Sequence, residues 1–264
     1  MPLWRKTILV TLDITLAVYL VLAITSFNHP NEEGRKCTKV NIQIADENTN
    51  GFLSAKEIRT ILQRHRLYPW QQPTSQISMR KVEELLKESP FVKTAECYMT
   101  QSGDIFISIT QRMPVVRIKN EQGNDYYLDD MGREMPNSKY VSDLIIATGN
   151  INRRFAREYL AQLAKSINGS DLWRNQIEQI NVLPDQGIEL VPRIGNHIVY
   201  IGHIPKNNIL PQRRDEDTDA FVKKKLSRLE KFYKYGLSQA GWNKYSYINI
   251  EFDNQIICKR NNLK

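Results

Sequence analysis

The stretch FISITQRMPVVRI, from Phe106 to Ile118, decides how this chain is read. It alternates apolar and polar residues as a strand does through Thr110, meets Arg112 and Pro114, and then resumes an apolar run. Proline has no N–H to give a sheet ladder and fixes its own φ. Within sheets it therefore stands at an edge, at a strand's first residue or at a bulge. The stretch is a junction between two strand systems, and Arg112 and Pro114 mark the seam.

Upstream of the seam, Val40, Ile42 and Ile44 alternate with Asn41 and Gln43, which predicts a strand. Ser54 followed by Glu57 is a capping box ahead of AKEIRTILQRHR, whose Ile58, Ile61, Leu62 and His65 share a helix face. Ser78 caps a second helix with Val82, Leu85 and Leu86 on its apolar side, ending before Pro90. Residues 91–100 and 104–110 form a hairpin closed at Gln101-Ser102-Gly103, with Ile105, Ile107 and Ile109 inward. The order is β-α-α-β-β, a sheet with two helices on one side.

Downstream, VVRIKNEQGNDYYLDDMGREMP alternates strand-like segments with turns at 122–124 and 130–132, and LIIATG is a further short strand. Phe155, Tyr159, Leu163 and Ile167 mark a helix ended by Asn168-Gly169. Strands follow at 177–183, 187–191 and 197–201, and the polar segment from Pro205 to Asp217 reads as a loop. Val222, Leu226, Leu229, Tyr233 and Leu237 give an amphipathic helix, with the run Lys223-Lys224-Lys225 on its wet face. The chain closes with Tyr247, Ile248, Ile250 and Phe252, a turn at Asp253-Asn254, and a last strand through Ile256, Ile257 and Cys258.

The 264 residues are enough for two small domains, each with its own core. Residues 8–27, ILVTLDITLAVYLVLAITSF, form an apolar run from Ile8 to Phe27, about the length a helix needs to cross a bilayer. Asp13 costs at most about 3.5 kcal/mol at mid-membrane. Each Leu, Ile, Val and Phe returns roughly 0.3 to 0.6 kcal/mol, so insertion is favoured. Asp13 is either a polar contact for another membrane helix or a carboxylate tolerated near the interface. A cleaved signal peptide is the rival, but the run is long for one and Ala23-Ile24-Thr25-Ser26 matches a cleavage site poorly. Arg5 and Lys6 precede the span, which keeps residues 1–7 in the cytoplasm and puts the bulk of the chain outside it; Arg35, Lys36 and Lys39 beyond the span weigh against this orientation. Residues 28–38 are a polar tether.

The net charge of +8 is spread without a basic stripe carrying interleaved aromatics, so nucleic acid is not an expected partner. Cys37, Cys97 and Cys258 are too few for a disulfide framework. His29, His65, His197 and His203 have no metal-ligand spacing. No phosphate loop, nucleophile elbow or Ser-x-x-Lys pattern occurs, and Asp129-Asp130, adjacent on a strand, point to opposite faces and make a turn. No catalytic residue, cofactor, metal or small-molecule substrate is expected.

From Ser89 onward the chain resembles the bacterial cell-division family FtsQ, also called DivIB. Pro90-Phe91-Val92-Lys93-Thr94-Ala95 matches its P-[WF]-V-x-x-A, Gln111-Arg112-Met113-Pro114-Val115-Val116 its E-R-x-P-V-A, and Asp130-Met131-Gly132-Arg133-Glu134-Met135 its D-x-x-G-x-V. Farther on, IVYIG, KKLSRLEKF and YINIEFDNQIICKR are similar to the family's V-x-L-G strand, K-L-x-R-L helix and Y-[IV]-D-L-R-[YF]-D closing segment. Gln111 stands where the family has Glu, and Asn249 and Glu251 stand where it has Asp and Arg. An ion pair at the first position is thereby lost, and partner charges at the others must differ.

The resemblance implies an α+β fold: a single transmembrane helix (8–27), a POTRA domain (39–113) and a mainly antiparallel β domain with flanking helices (114–264). It implies a non-enzymatic hub at the septal inner membrane that binds FtsB-like and FtsL-like division proteins, meets other divisome membrane proteins, and helps recruit septal wall synthesis. The physical basis expected here is strand addition. The final strand should lie at a sheet edge, with Phe252, Asn254, Gln255, Ile256, Ile257, Cys258, Lys259 and Arg260 meeting the partner. Phe252, Asn254 and Gln255 match positions the family uses, while Ile250 reads as core. The alternatives are a POTRA-containing envelope assembly or secretion factor, and a secreted enzyme released by signal cleavage.

Overall fold

In the computed structural model, residues 3–27, 34–45, 52–138, 143–207 and 210–261 are described. His29 and most of the expected tether lie outside them. Helix α1 (Leu3–Phe27) carries the apolar run, and its segment Lys6–Ile24 is long and apolar enough to cross a membrane. The rest of the chain forms two compact units, one with Ser54–Glu88 and Thr94–Thr110, the other with Ser89–Lys93 and everything from Gln111.

In the first unit, β1 (Val40–Ile44) runs parallel to β3 (Ile105–Gln111), which lies between it and β2 (Val92–Met99). Helix α2 (Ala55–Arg64) starts at the capping box read from the sequence: the Ser54 hydroxyl accepts from the Glu57 amide, and Glu57 accepts from the Ser54 amide at 3.0 Å. Helix α3 (Met79–Lys87) starts at Ser78. Ile58, Leu62, Val82 and Leu86 are buried, as are Ile105, Ile107 and Ile109, and α2 packs on α3 and β1. His65 is not on the apolar face; α2 stops one residue earlier and His65 caps it, exposed.

The second unit is built on one sheet of nine strands: β4 (Pro114–Asn120), β5 (Asp125–Asp129), β6 (Glu134–Pro136), β7 (Ile145–Gly149), β8 (Ile177–Val182), β9 (Gly187–Pro192), β10 (Ile198–His203), β11 (Tyr245–Asn249) and β12 (Ile257–Arg260). Their spatial order is β12-β11-β10-β9-β8-β7-β4-β5-β6. Most neighbours are antiparallel, but β4–β7, β7–β8 and β10–β11 run parallel. Each of these parallel pairs is joined by a connection long enough to cross over. Between β7 and β8 come α4 (Arg153–Phe155), a π-helical turn (Ala156–Leu160), α5 (Ala161–Asn168) and α6 (Asp171–Gln176). Helix α7 (Pro211–Phe232), a second π turn (Tyr233–Leu237) and α8 (Ser238–Ala240) connect β10 to β11. Leu160, Leu163, Ile167, Val222, Leu226 and Leu229 join Ile118, Ile180, Leu190, Val199 and Ile248 in one buried core.

Three further readings change. Helix α7 begins at Pro211, so only the first part of the supposed loop to Asp217 is one; proline's missing donor costs nothing at the first helical position, and Asp215, Glu216 and Asp217, which look loop-like, lie in the second turn. Helix α6, capped by Ser170, has no expected counterpart. Lys225 is buried rather than on the wet face.

Pro114 is both the first residue of its strand and next to a bulge: its register with Asp129 shifts before Val116, and pairing with β7 begins only at Val116. The missing N–H therefore interrupts neither ladder. Arg112 beside it is buried. Its Nε donates to Asp129 at 2.9 Å, Nη1 to the Pro90 carbonyl at 2.8 Å and Nη2 to the Glu134 carbonyl at 3.3 Å. Asp129 also accepts from Arg133 Nε and the Met131 and Arg133 amides. It closes a turn as expected, but from inside the protein. Gln111 is buried too and accepts from the Leu53 amide at 2.9 Å.

Burial would raise the Asp129 carboxyl, but the Arg133 amide, the Arg112 guanidinium and the Met131 amide outweigh it and hold it below the usual carboxylate range. A carboxyl depressed on folding contributes stability that is complete above its unfolded value near 3.9 and lost as pH falls through the folded value. Thermal denaturation of the full chain in detergent should therefore show an acid limb below about pH 4. Asp129→Asn should flatten that limb and cost about 3 kcal/mol at neutral pH, because Arg112 is left buried without its anion. A loss under about 1 kcal/mol would contradict this role.

Candidate interaction edge

Strand β12 ends the sheet. Its partner on one side is β11, in antiparallel register Asn249↔Ile257, Ile248↔Cys258 and Tyr247↔Lys259. No described strand lies on its other side. An edge strand leaves every second N–H and C=O directed away from its neighbour.

Strand β11 is firmly set. Ile248 and Ile250 are fully buried, the Ile250 amide donates to the Tyr200 carbonyl at 2.9 Å, and Tyr247 Oη donates to Glu189 at 3.1 Å. Burial and then the Glu189 charge raise the Tyr247 phenol, keeping it a neutral donor.

The segment between β11 and β12 has no ladder to hold it, and α7 supplies the donors instead. Lys225 Nζ donates to the Ile250 carbonyl at 3.1 Å and to that of Glu251. Arg228 Nη1 donates to the carbonyls of Ile250, at 3.2 Å, and Phe252, and its Nη2 reaches Gln255 at 3.2 Å. Lys224 pairs with Asp253 at 2.7 Å, and that hydrogen bond lowers the Asp253 carboxyl. The Glu251 amide is met by Asn249 Oδ1 at 2.8 Å, so asparagine at this position caps the turn. Burial lowers the Lys225 ammonium from its ordinary value.

With its carbonyls fastened, the segment turns side chains outward. Phe252 is 47% exposed and Ile257 49%, and Asn254, Gln255, Lys259 and Arg260 are also exposed. Ile256 and Cys258 point the other way and pack half-buried against the core. Six of the eight residues singled out in the sequence are thus exposed, Ile256 and Cys258 are half-buried, and Ile250 is core. Lys225 and Arg228 were missed as site residues. The available signal was their spacing: three apart, they lie next to the apolar stripe of Val222, Leu226 and Leu229. Cys37, Cys97 and Cys258 are free thiols.

Lys225→Met should cost about 1–3 kcal/mol, because the Ile250 and Glu251 carbonyls lose a charged donor, and it should speed hydrogen exchange through residues 250–260. Lys223→Ala on the exposed face should change stability by less than about 0.5 kcal/mol. Equal effects from the two would contradict the clamp.

Comparison with known families fits this architecture. A POTRA-like domain matches residues 35–110, and the family described as FtsQ/DivIB, C-terminal related, matches 113–210 and 217–259. Both are scaffold-type families that are not enzymes. No curated protein matches the chain. The second family's match alone covers more than half of the sequence, and with the POTRA-like domain ahead of it, the chain belongs to the FtsQ/DivIB family.

Proposed function

We infer that the chain, as a member of this family, has a division-related protein-interaction role at the septal inner membrane. We propose that the chain is a non-enzymatic hub of the division machinery that captures an FtsB-like partner by adding a strand of that partner to the free side of β12. The observation that carries this reading is an edge strand with one neighbour among the described residues, ending a sheet and presenting Ile257, and Phe252 of the turn before it, to solvent. Main-chain hydrogen bonds supply affinity, and alternate side chains supply selectivity. Lys259 and Arg260 on the same strand disfavour pairing between two copies of this edge and favour an acidic incoming segment.

In this reading α1 anchors the chain with residues 1–7 in the cytoplasm and the remainder on the periplasmic side, residues 28–38 tether it, and Asp13 lies near the cytoplasmic interface. Arg112 and Pro114 mark the hand-over from POTRA domain to β domain. The gap between the two family matches, which leaves out residues 111 and 112, supports that seam. An FtsL-like protein is a second partner, and the assembled unit helps recruit septal wall synthesis.

Proline placed singly at Ile257, Cys258 and Lys259 tests strand addition. Because ladder donors alternate in direction, variants whose N–H faces outward should lose capture of an FtsB-like segment more than about tenfold while keeping the wild-type melting temperature. The others should also loosen β12 from β11. If all three variants retained full capture in a pull-down, strand addition would be wrong.

A further inference from the structure

At the other end of the sheet the structure gathers charges that are scattered in the sequence. Arg153 and Arg154 of α4, Arg157 of the adjoining π turn, and Arg214 of α7 line an open groove of about 480 Å³ with Met131 and Glu158. Four guanidinium groups share two carboxylates. Arg153 meets Glu134 at 2.9 Å, while Arg154 and Arg214 both meet Glu158, at 3.1 and 3.6 Å. Arg157 is exposed and has no ion-pair partner among the described residues. Arg214 has a side chain only 15% exposed, and its Nε is buried without a hydrogen-bond partner. The same guanidinium lies over the Tyr159 ring, its carbon 5.4 Å from the centroid, which holds it at the groove wall.

The backbone builds this excess deliberately. Within the π turn the Ala161 amide bonds to Ala156, one residue farther back than in an α-helix, and such insertions recur at functional sites. Gly132, at φ +71°, lies so close to the Arg157 carbonyl that a Cβ there would sit 2.5 Å from it. Only glycine allows that approach, and it sets Met131, 69% exposed, beside the groove.

We infer that this groove is a second docking site, separate from the β12 edge, for an acidic peptide segment of a partner protein carrying an apolar residue beside its carboxylates. Charge complementarity requires an anion, and the exposed Met131 suits an apolar neighbour. Phosphate recognition commonly enlists backbone amides. Here the Met131 and Arg133 amides already donate to Asp129, and the Phe155 amide donates to Asn152. The guanidinium forks are therefore the main donors the groove presents, and they match carboxylates spaced along a peptide. Arg153 reaches Glu134 of β6, the strand farthest from β12 in the sheet order, so the two sites can be occupied together.

The test is fluorescence anisotropy on the full chain in detergent at low salt, with a dye-labelled Asp-Asp-Leu-Asp-Asp-Glu peptide and its Asn/Gln counterpart. The acidic peptide should bind and the amide form should not. Arg157→Gln, which alters an exposed side chain, should weaken binding about fivefold, and Arg154→Gln combined with Arg157→Gln more than about tenfold, with melting temperatures unchanged. Ile257→Pro should leave this binding intact, so failure here is distinguishable from failure of strand addition. Equal binding of the amide peptide, no loss in either arginine variant, or displacement by inorganic phosphate or glycerol phosphate at the concentration of the peptide would overturn the assignment.

Discussion

Two cations of α7 hold the end of this protein in place. Lys225 and Arg228 donate to the carbonyls of residues 250, 251, 252 and 255, where the chain has left one ladder and not yet entered the next. Hydrogen bonds from charged groups are worth more than neutral ones, roughly 1.5–3 kcal/mol, and here several converge on one short segment. A four-residue edge strand with one neighbour among the described residues is a weak element on its own. Its direction depends on the turn before it, and the turn depends on α7. The apolar stripe of α7, buried in the core, is what brings those cations to the right depth.

The same logic governs the start of β4. A buried arginine and a buried aspartate close the turn after β5 and tie it to the Pro90 carbonyl. Proline beside them starts β4 without disturbing either neighbouring ladder. Buried charge of this kind adds little net stability over a well-packed apolar pair, and its value lies in accepting one geometry and rejecting others.

Much of this was legible in the sequence because local rules and tertiary packing agreed. The capping box at Ser54, the alternation of Ile105, Ile107 and Ile109, the glycine turns and the stripe of α7 are each set by neighbours a few residues away. Their outcomes follow. The parallel pairings of β7 were not legible, since period-two alternation says nothing about which strand lies alongside. Polarity also misled twice. The polar opening turns of α7 resemble a loop because they carry no apolar stripe before Val222, and Lys225 resembles its exposed neighbours although its carbonyl partners lie far along the chain. The arginine groove was invisible for the same reason: Arg214 is distant in sequence from Arg153, Arg154 and Arg157, and only the fold joins them.

The central claim is that the outward row of backbone groups on β12 is open in the free chain and closed by a partner strand. Hydrogen–deuterium exchange resolved to single amides over residues 257–260, with and without an FtsB-like segment, tests it most directly. The account predicts alternating fast and slow exchange in the free chain, and slowing of the fast amides when the segment is added. Uniform slow exchange in the free chain, or protection appearing on β6 and not on β12, would contradict it.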